Sequence, residues 1–267
     1  MENKNAIIVL TRGYEKLTDY KMLIERNKNL LKYRNEKIDY IIFHEGDITM
    51  EHQKYINSFT PELKLIYVNV QDEFKKDDIP LKIDMYWSLG YRNMCNFWFV
   101  SFWKYVQQYD KIIRIDEDCN FYSNYNNIFK KLDNKISIFG AKSYDELFVI
   151  EGINNFTINF LKDKNINVKK RKVWGPYTNV IGLNLVKLRN NKLLFNFINR
   201  VKDSNNIYFY RWGDLPLWGE VLYYFYNESD YIIDKNINYY HASHNREINK
   251  QNYKNKKLLT FILSKQR

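Results

Sequence analysis

The chain has 267 residues, 45% of them hydrophobic, with four Pro, nine Gly and a formal net charge of +11. That length and apolar content suit one large α/β domain, and the absence of a Pro/Gly/Ser-rich linker or an internal period excludes a repeat, solenoid or disordered chain. The positive charge favours an anionic partner, yet lysines spread along the chain form an ordinary solvated surface, and no recognisable nucleic-acid-binding module is present.

The aromatic residues, 23 Tyr, 17 Phe and 6 Trp, suit packed cores and also flat half-polar ligands such as sugars or bases. Cys95 and Cys119 form neither a disulfide framework nor a metal-ligand spacing, which points to a reducing compartment. The first apolar run, Ala6 to Leu10, is too short for a signal peptide or a membrane span, so the expectation is a soluble chain.

Ala6 to Thr11 (A-I-I-V-L-T) reads as a buried strand, followed by the turn Arg12-Gly13-Tyr14 and a helix from about Tyr20 to Tyr33. Ligands of open α/β sheets bind at the carboxyl ends of strands, where Arg12 can hold a phosphate or a base, or simply sit at the surface. Ile38 to His44 and Leu63 to Val70 read as further strands with a helix between them around Met50 to Asn57, which predicts a mainly parallel sheet with helices on both faces.

Leu89 to Tyr109 is the strongest helix, capped by Ser88 and striped by Met94, Phe97, Trp98, Phe102 and Tyr105. It leads into an apolar strand from Lys111 that ends in Asp116-Glu117-Asp118. In an extended chain Asp116 and Asp118 face one side and Glu117 the other. Two convergent carboxylates make a hard site for Mg²⁺ or Mn²⁺ that completes its shell with water and substrate phosphates, though the same cluster also suits a solvated turn.

Further on, Ile136 to Ala141 reads as a strand, Asn155 to Leu161 as a helix, Lys162 to Lys172 as a basic connector and Val173 to Asn179 as an ordered loop. Val180 to Leu188 begins a strand or a helix, and Leu193 to Val201 is helical. Arg211-Trp212-Gly213-Asp214-Leu215-Pro216 reads as a loop before a helix from Leu217 to Tyr226, with Asp214 able to orient a sugar hydroxyl or an acceptor nucleophile. A strand from Ile237 to Tyr240 delivers His241 and His244, and His241 becomes a third ligand if it lies beside a carboxylate metal site. The basic segment Lys254 to Lys265 reads as a packed terminal helix, with contact to a membrane surface as the alternative.

The runs V-L-T-R-G (9 to 13), G-Y-R-N-M-C-N-F-W (90 to 98), R-I-D-E-D-C-N-F (114 to 121), R-W-G-D-L-P (211 to 216) and N-Y-Y-H (238 to 241) resemble, in order and approximate spacing, the glycosyltransferase 15 family of fungal α-1,2-mannosyltransferases. The resemblance covers most of the chain. It implies a GT-A-type nucleotide-sugar-binding domain over residues 1 to 267, with a nucleotide-binding half (1 to 122) and an acceptor-binding half (123 to 267). It further implies retaining transfer of mannose from GDP-mannose to a hydroxyl of a glycan or glycolipid acceptor, with Mn²⁺ (or Mg²⁺) as cofactor. By position, Asp116, Asp118 and His241 would hold the metal, Arg12 and Tyr91 would join Asp116 and Asp118 near the donor, and Asp214 would lie near the acceptor or the reacting sugar. A carboxylate near the acceptor hydroxyl can assist proton removal, a catalytic role for which Asp214 is the leading candidate.

The chain departs from the family at two places. Asp116-Glu117 stands where the family has Glu-Pro, and Ile181 stands where it has a Glu proposed as nucleophile, with no acid from Val180 to Asn190. Transfer would then proceed by same-face attack with a diphosphate oxygen as base; the alternatives are a different nucleotide sugar or a binding relative without turnover. The family's membrane anchor has no counterpart here, so the expected location is cytoplasmic, in a viral or host setting, with membrane contact at most peripheral and no nucleic-acid partner.

Overall fold

β1 (Asn5–Thr11) is the strand on which the sheet is built, and the computed structural model describes residues 4–75 and 88–249 around it. In chain order β1 is followed by α1 (Lys21–Leu31), β2 (Ile38–His44), α2 (Met50–Ser58), β3 (Leu65–Asn69), α3 (Leu89–Asn96), β4 (Lys111–Ile115) and β5 (Cys119–Phe121). Then come α4 (Tyr125–Leu132), β6 (Ser137–Phe139), β7 (Lys142–Ser143), α5 (Ile153–Lys162), β8 (Gly175–Pro176), β9 (Val180–Asn184), α6 (Leu185–Arg189), α7 (Lys192–Ser204) and α8 (Asn206–Phe209). α9 (Asp214–Tyr224), β10 (Tyr231–Ile233), β11 (Tyr239–His241) and β12 (Arg246–Ile248) complete the described chain.

Seven strands form the main sheet in the order β10-β6-β9-β4-β1-β2-β3, with β9 antiparallel to both neighbours and every other pair parallel. The fold is therefore α/β with a mostly parallel sheet, as the alternating apolar runs predict. Cross-strand register lines up Ile41, Ile8, Arg114, Ile181 and Phe139 on one face. The four apolar members of that row are buried with Trp98, Phe197 and Trp218 from the helices above. On the opposite face Tyr40, Ile7, Ile113 and Ile138 meet Leu30 of α1 and Tyr125, Ile128 and Leu132 of α4. Each such large apolar side chain contributes about 1.5–3 kcal/mol on full burial, so the two layers hold the sheet rigid beneath its loops.

The long expected helix starts where predicted, with Ser88 Oγ accepting from the Tyr91 amide, but it is not uniform and stops at Tyr105. A π turn covers Phe97–Ser101 and a 3₁₀ turn Phe102–Tyr105. The wider turn shifts the register, so that Phe97, Trp98, Phe99, Phe102 and Trp103 are all buried. Arg189 then donates to the carbonyls of Val106 and Tyr109 and satisfies the end of the segment.

Two other boundaries differ in ways that matter for the site. The last long helix begins at Asp214 rather than Leu217, because Pro216 is tolerated in a first turn and an acidic residue there complements the helix dipole. The histidine-bearing strand runs Tyr239–His241, inside a small antiparallel sheet of order β12-β11-β5. Among the described residues no helix is long and apolar enough to cross a membrane. The basic segment Lys254 to Lys265 lies outside the described residues.

Candidate active site

The strand order reverses at β1: β2 and β3 extend the sheet to one side, while β4 lies on the other. The carboxyl ends of β1 and β4 therefore border a crevice, the usual ligand position in such a sheet. A cavity of about 490 Å³ lies there, walled by Tyr14, Tyr91, Trp98 and Tyr177 and reached by Asp116, Glu117, Asp118, Asp214 and His241. A second cavity of about 580 Å³ lies between Trp103 and α7, lined by none of these carboxylates.

The three consecutive acids do not continue β4. Cys119 N donates to Asp116 O, so the chain turns between β4 and β5 and sends the three side chains to three different partners. Asp116 and Asp118 line the same cavity, brought there by this turn rather than by strand alternation.

Asp116 is held by Arg114, which donates from Nε to Oδ1 at 2.7 Å and from Nη2 to Oδ2 at 3.0 Å. The remaining nitrogen, Nη1, reaches Asp214 Oδ2 at 2.6 Å. One guanidinium thus bridges two carboxylates, and it lies 4.2 Å over the Trp98 ring. Burial by itself lowers the basicity of Arg114, but the charges of Asp116 and Asp214 outweigh it and raise its pKa above the usual value. Arg114 is the one charged member of the row Ile41, Ile8, Arg114, Ile181 and Phe139, so Ile181 lies directly across from it as a core residue.

Asp118 turns the other way, onto His241. β5 and β11 pair antiparallel with His241 opposite Cys119, which brings His241 Nε2 to 3.0 Å from Asp118 Oδ2. Tyr177 OH lies 2.7 Å from Nδ1 of the same ring, while Ser243 Oγ lies 3.1 Å from Nε2. Burial works to raise Asp118, but the hydrogen bonds from His241 and Ser243 prevail and hold its carboxyl down to about 2. Among the described residues, Asp118, Cys119 and His241 are the cluster of metal-ligating side chains whose donor atoms lie within 4.8 Å of one another.

The chemistry of that donor set fits a divalent cation of the Mn²⁺ kind, which accepts a carboxylate oxygen and an imidazole nitrogen together. Burial and the neighbouring carboxylates push the Cys119 thiol well above its ordinary range, and a cation of this hardness takes oxygen and nitrogen in preference to sulfur. Within that cluster the oxygen and nitrogen donors are Asp118 and His241. Asp116, in the same cavity, accepts from Arg114 at both oxygens and from Asn179 Nδ2 at 3.2 Å.

Glu117 points to β1, where Thr11 Oγ1 donates to one oxygen and Tyr14 OH to the other at 2.6 Å. Burial raises its pKa, with the two hydroxyl donors opposing. Arg12 is exposed at the rim, its guanidinium 5.2 Å from the Tyr14 ring, and Tyr91 lines the cleft with Arg211 stacked 4.5 Å from its ring. Arg211 has φ +66°, an uncommon conformation for a residue with a side chain, and it turns the chain into α9.

The position of Asp214 depends on glycine. A Cβ on Gly219 would meet Trp174 O at 1.5 Å, and one on Gly175 would meet Leu215 O at 1.9 Å. Backbone-to-backbone contact between α9 and the β8 region therefore sets where the helix begins. Arg114, Tyr14, Tyr177, Asn179 and Asp145 all belong to the cleft wall or its hydrogen bonds. Of these, Tyr177 and Asn179 fall in the ordered loop that the sequence indicates, whereas nothing in the sequence marks Asp145.

No protein-family model matches the sequence, and no curated protein matches it by sequence. Solved structures do match in fold. The mannosyltransferase Ktr4p from S. cerevisiae in complex with GDP superposes with a TM-score of 0.77 at 20% identity, over 90% of this chain and 71% of that one. Core-mannan synthase A from Aspergillus fumigatus, in a Mn/GDP form, gives 0.75 at 18% identity, over 89% and 74%. Mouse xyloside xylosyltransferase 1 gives 0.54 at 13% identity, over 86% and 85%. The chain shares the fold of these glycosyltransferases.

Proposed function

We propose that the protein is a glycosyltransferase that moves mannose from GDP-mannose to a hydroxyl of a glycan or glycolipid acceptor with retention of configuration. The observation that carries this reading is the convergence of Asp118 and His241 at one point of a crevice that also holds Asp214. The fold shared with GDP-bound mannosyltransferases supports it.

In this reading Asp118 and His241 hold a divalent cation, Mn²⁺ or Mg²⁺, and Tyr177 orients the imidazole from behind. A bound cation supplies charge neutralisation for the departing nucleoside diphosphate. Tyr91 and Arg12 contribute to the donor side, and Asp116 acts there through Arg114 rather than as a free ligand. Asp214, fixed by Arg114 at one oxygen, orients the acceptor hydroxyl and assists its deprotonation. Ile181 is a buried core residue, so no carboxylate at that position serves as a nucleophile. Same-face attack needs no nucleophile there: Asp214 helps draw the proton from the acceptor hydroxyl, and that proton ends on the leaving diphosphate as the glycosidic bond forms and the sugar–phosphate bond breaks.

Ile181 also motivates a second reading, a nucleotide-binding relative without turnover. A panel of sugar nucleotides, assayed with and without EDTA for release of nucleoside diphosphate, separates the two. GDP release from GDP-mannose that EDTA abolishes is the expected result. Saturable, cation-dependent GDP binding with no turnover of any donor would replace the first reading with the second.

A further inference from the structure

Beside the cleft lies a rim whose chemistry sugar transfer leaves unused. β7 and β8 pair with Lys142 opposite Pro176, and the loop after β7 exposes Tyr144 and Leu147 to 57% and 84%. Lys172 Nζ lies 4.5 Å from the centre of the Tyr144 ring, and Lys142 Nζ lies 4.2 Å from that of Trp174. Lys169 and Lys170 are exposed on the same connector.

This basic stretch is a fixed surface rather than a trailing arm. Arg171, between the lysines, turns inward to Glu220 at 2.9 Å, and its amide donates to Asn154 Oδ1 at 3.2 Å. Tyr224 OH, on α9, donates to the Lys169 carbonyl at 2.9 Å. The pinned connector presents Lys169, Lys170 and Lys172 outward, while Asp145, between Tyr144 and Leu147, lines the cleft.

We propose that this rim docks the protein on an anionic lipid surface, with Leu147 and Tyr144 entering the headgroup layer and Lys142, Lys169, Lys170 and Lys172 meeting lipid phosphates. Charge complementarity selects an anionic partner, and the apolar tip selects a bilayer. A soluble polyanion would engage the lysines and leave Leu147 in water. Because Asp145 joins the rim to the cleft, docking turns the cleft mouth toward acceptors carried by lipid; that last step rests on the transferase reading, whereas the docking does not.

The test is flotation of the full chain with phosphatidylcholine vesicles made with and without phosphatidylserine, at low and raised salt. Binding to the anionic vesicles, weakened by salt, is expected. Leu147→Asp should lower the partition coefficient by about tenfold, as should Lys142→Glu combined with Lys172→Glu. Met50→Asp, at an apolar residue 67% exposed on α2, should leave it unchanged. Absent binding by the native chain, or equal losses in the Met50 and Leu147 variants, would overturn the proposal. Retained lipid binding in Leu147→Asp with loss only in the lysine variant would reassign the rim to soluble polyanions. GDP binding, measured on the same samples, reports separately on the transferase reading.

Discussion

Arg114 donates from Nη1 to Asp214 Oδ2 at 2.6 Å across a hundred residues of sequence, and with its other two nitrogens it holds Asp116. The bridge joins the end of β4 to the first turn of α9. Replacing Arg114 by Gln leaves two carboxylates against an otherwise apolar row, a loss of about 3–5 kcal/mol when one partner of a buried pair is removed. Urea unfolding of Arg114→Gln, Asp214→Asn and the double variant measures this. The double variant should lose less than the sum of the singles by at least about 1 kcal/mol, and strict additivity would show that the contact carries no coupling.

Asp118 and His241 should bind a divalent cation together, so Asp118→Asn is expected to abolish cation-dependent donor turnover with the fold intact. Tyr177→Phe is the subtler probe. It removes the hydroxyl 2.7 Å from Nδ1 while Nε2 stays beside Asp118, and it should weaken Mn²⁺ affinity by roughly tenfold or more. Calorimetric titration of Mn²⁺ in the presence of GDP reads both. Unchanged Mn²⁺ affinity in Asp118→Asn would remove the cation from this pair.

The apolar runs made β1, β2 and β4 legible because their central residues, Ala6 to Leu10, Tyr40 to Phe43 and Ile112 to Ile113, are packed on both faces of the sheet, with polar residues mainly toward the strand ends and Arg114 as the buried exception. The turn after Ile115 was not legible, since its closing bond from Cys119 N to Asp116 O involves only backbone. Nor could spacing reveal that Cys119 faces His241, because the β5–β11 pairing joins segments about 120 residues apart. Arg114 was hidden for a different reason. A charged residue inside an apolar strand has no local signature of its partners, and both of them depend on how the turn and α9 are placed.

Asp214 should act after the nucleotide is bound. Asp214→Asn keeps the shape of the side chain and a weaker contact to Arg114, so GDP affinity should fall by no more than about threefold while transfer to acceptor falls by a hundredfold or more, the scale of a lost acid–base group. Parallel measurement of GDP binding and of transfer rate checks this. Equal losses in both would make Asp214 a structural partner of Arg114 and nothing more.

Gly219 tests whether α9 is held by backbone contact. Ala is the better helix former by about 1 kcal/mol, so propensity alone predicts that Gly219→Ala stabilises. The added Cβ would instead meet Trp174 O at 1.5 Å, which side-chain motion cannot relieve. The net result should be a loss of about 2 kcal/mol or more by thermal unfolding, with Asp214 displaced from Arg114. A stabilised variant would mean that α9 can slide without cost.

Cys95 makes the protein alkali-sensitive in a defined direction. Burial, aided by the charge of Asp214, pushes its thiol up to about 12, against an ordinary value of 9.0. Below about 9 the thiol is protonated in both folded and unfolded chains and contributes no pH dependence. Between about 9 and about 12 the unfolded chain releases this proton and the folded one keeps it, so stability falls as pH rises, by up to about 1.4 kcal/mol per pH unit. Cys95→Ala removes that contribution. The stability difference between the native chain and the variant should be flat from neutral pH to about 9 and then shift steadily in the variant's favour, and a difference constant to higher pH would show that the thiolate is tolerated in the fold.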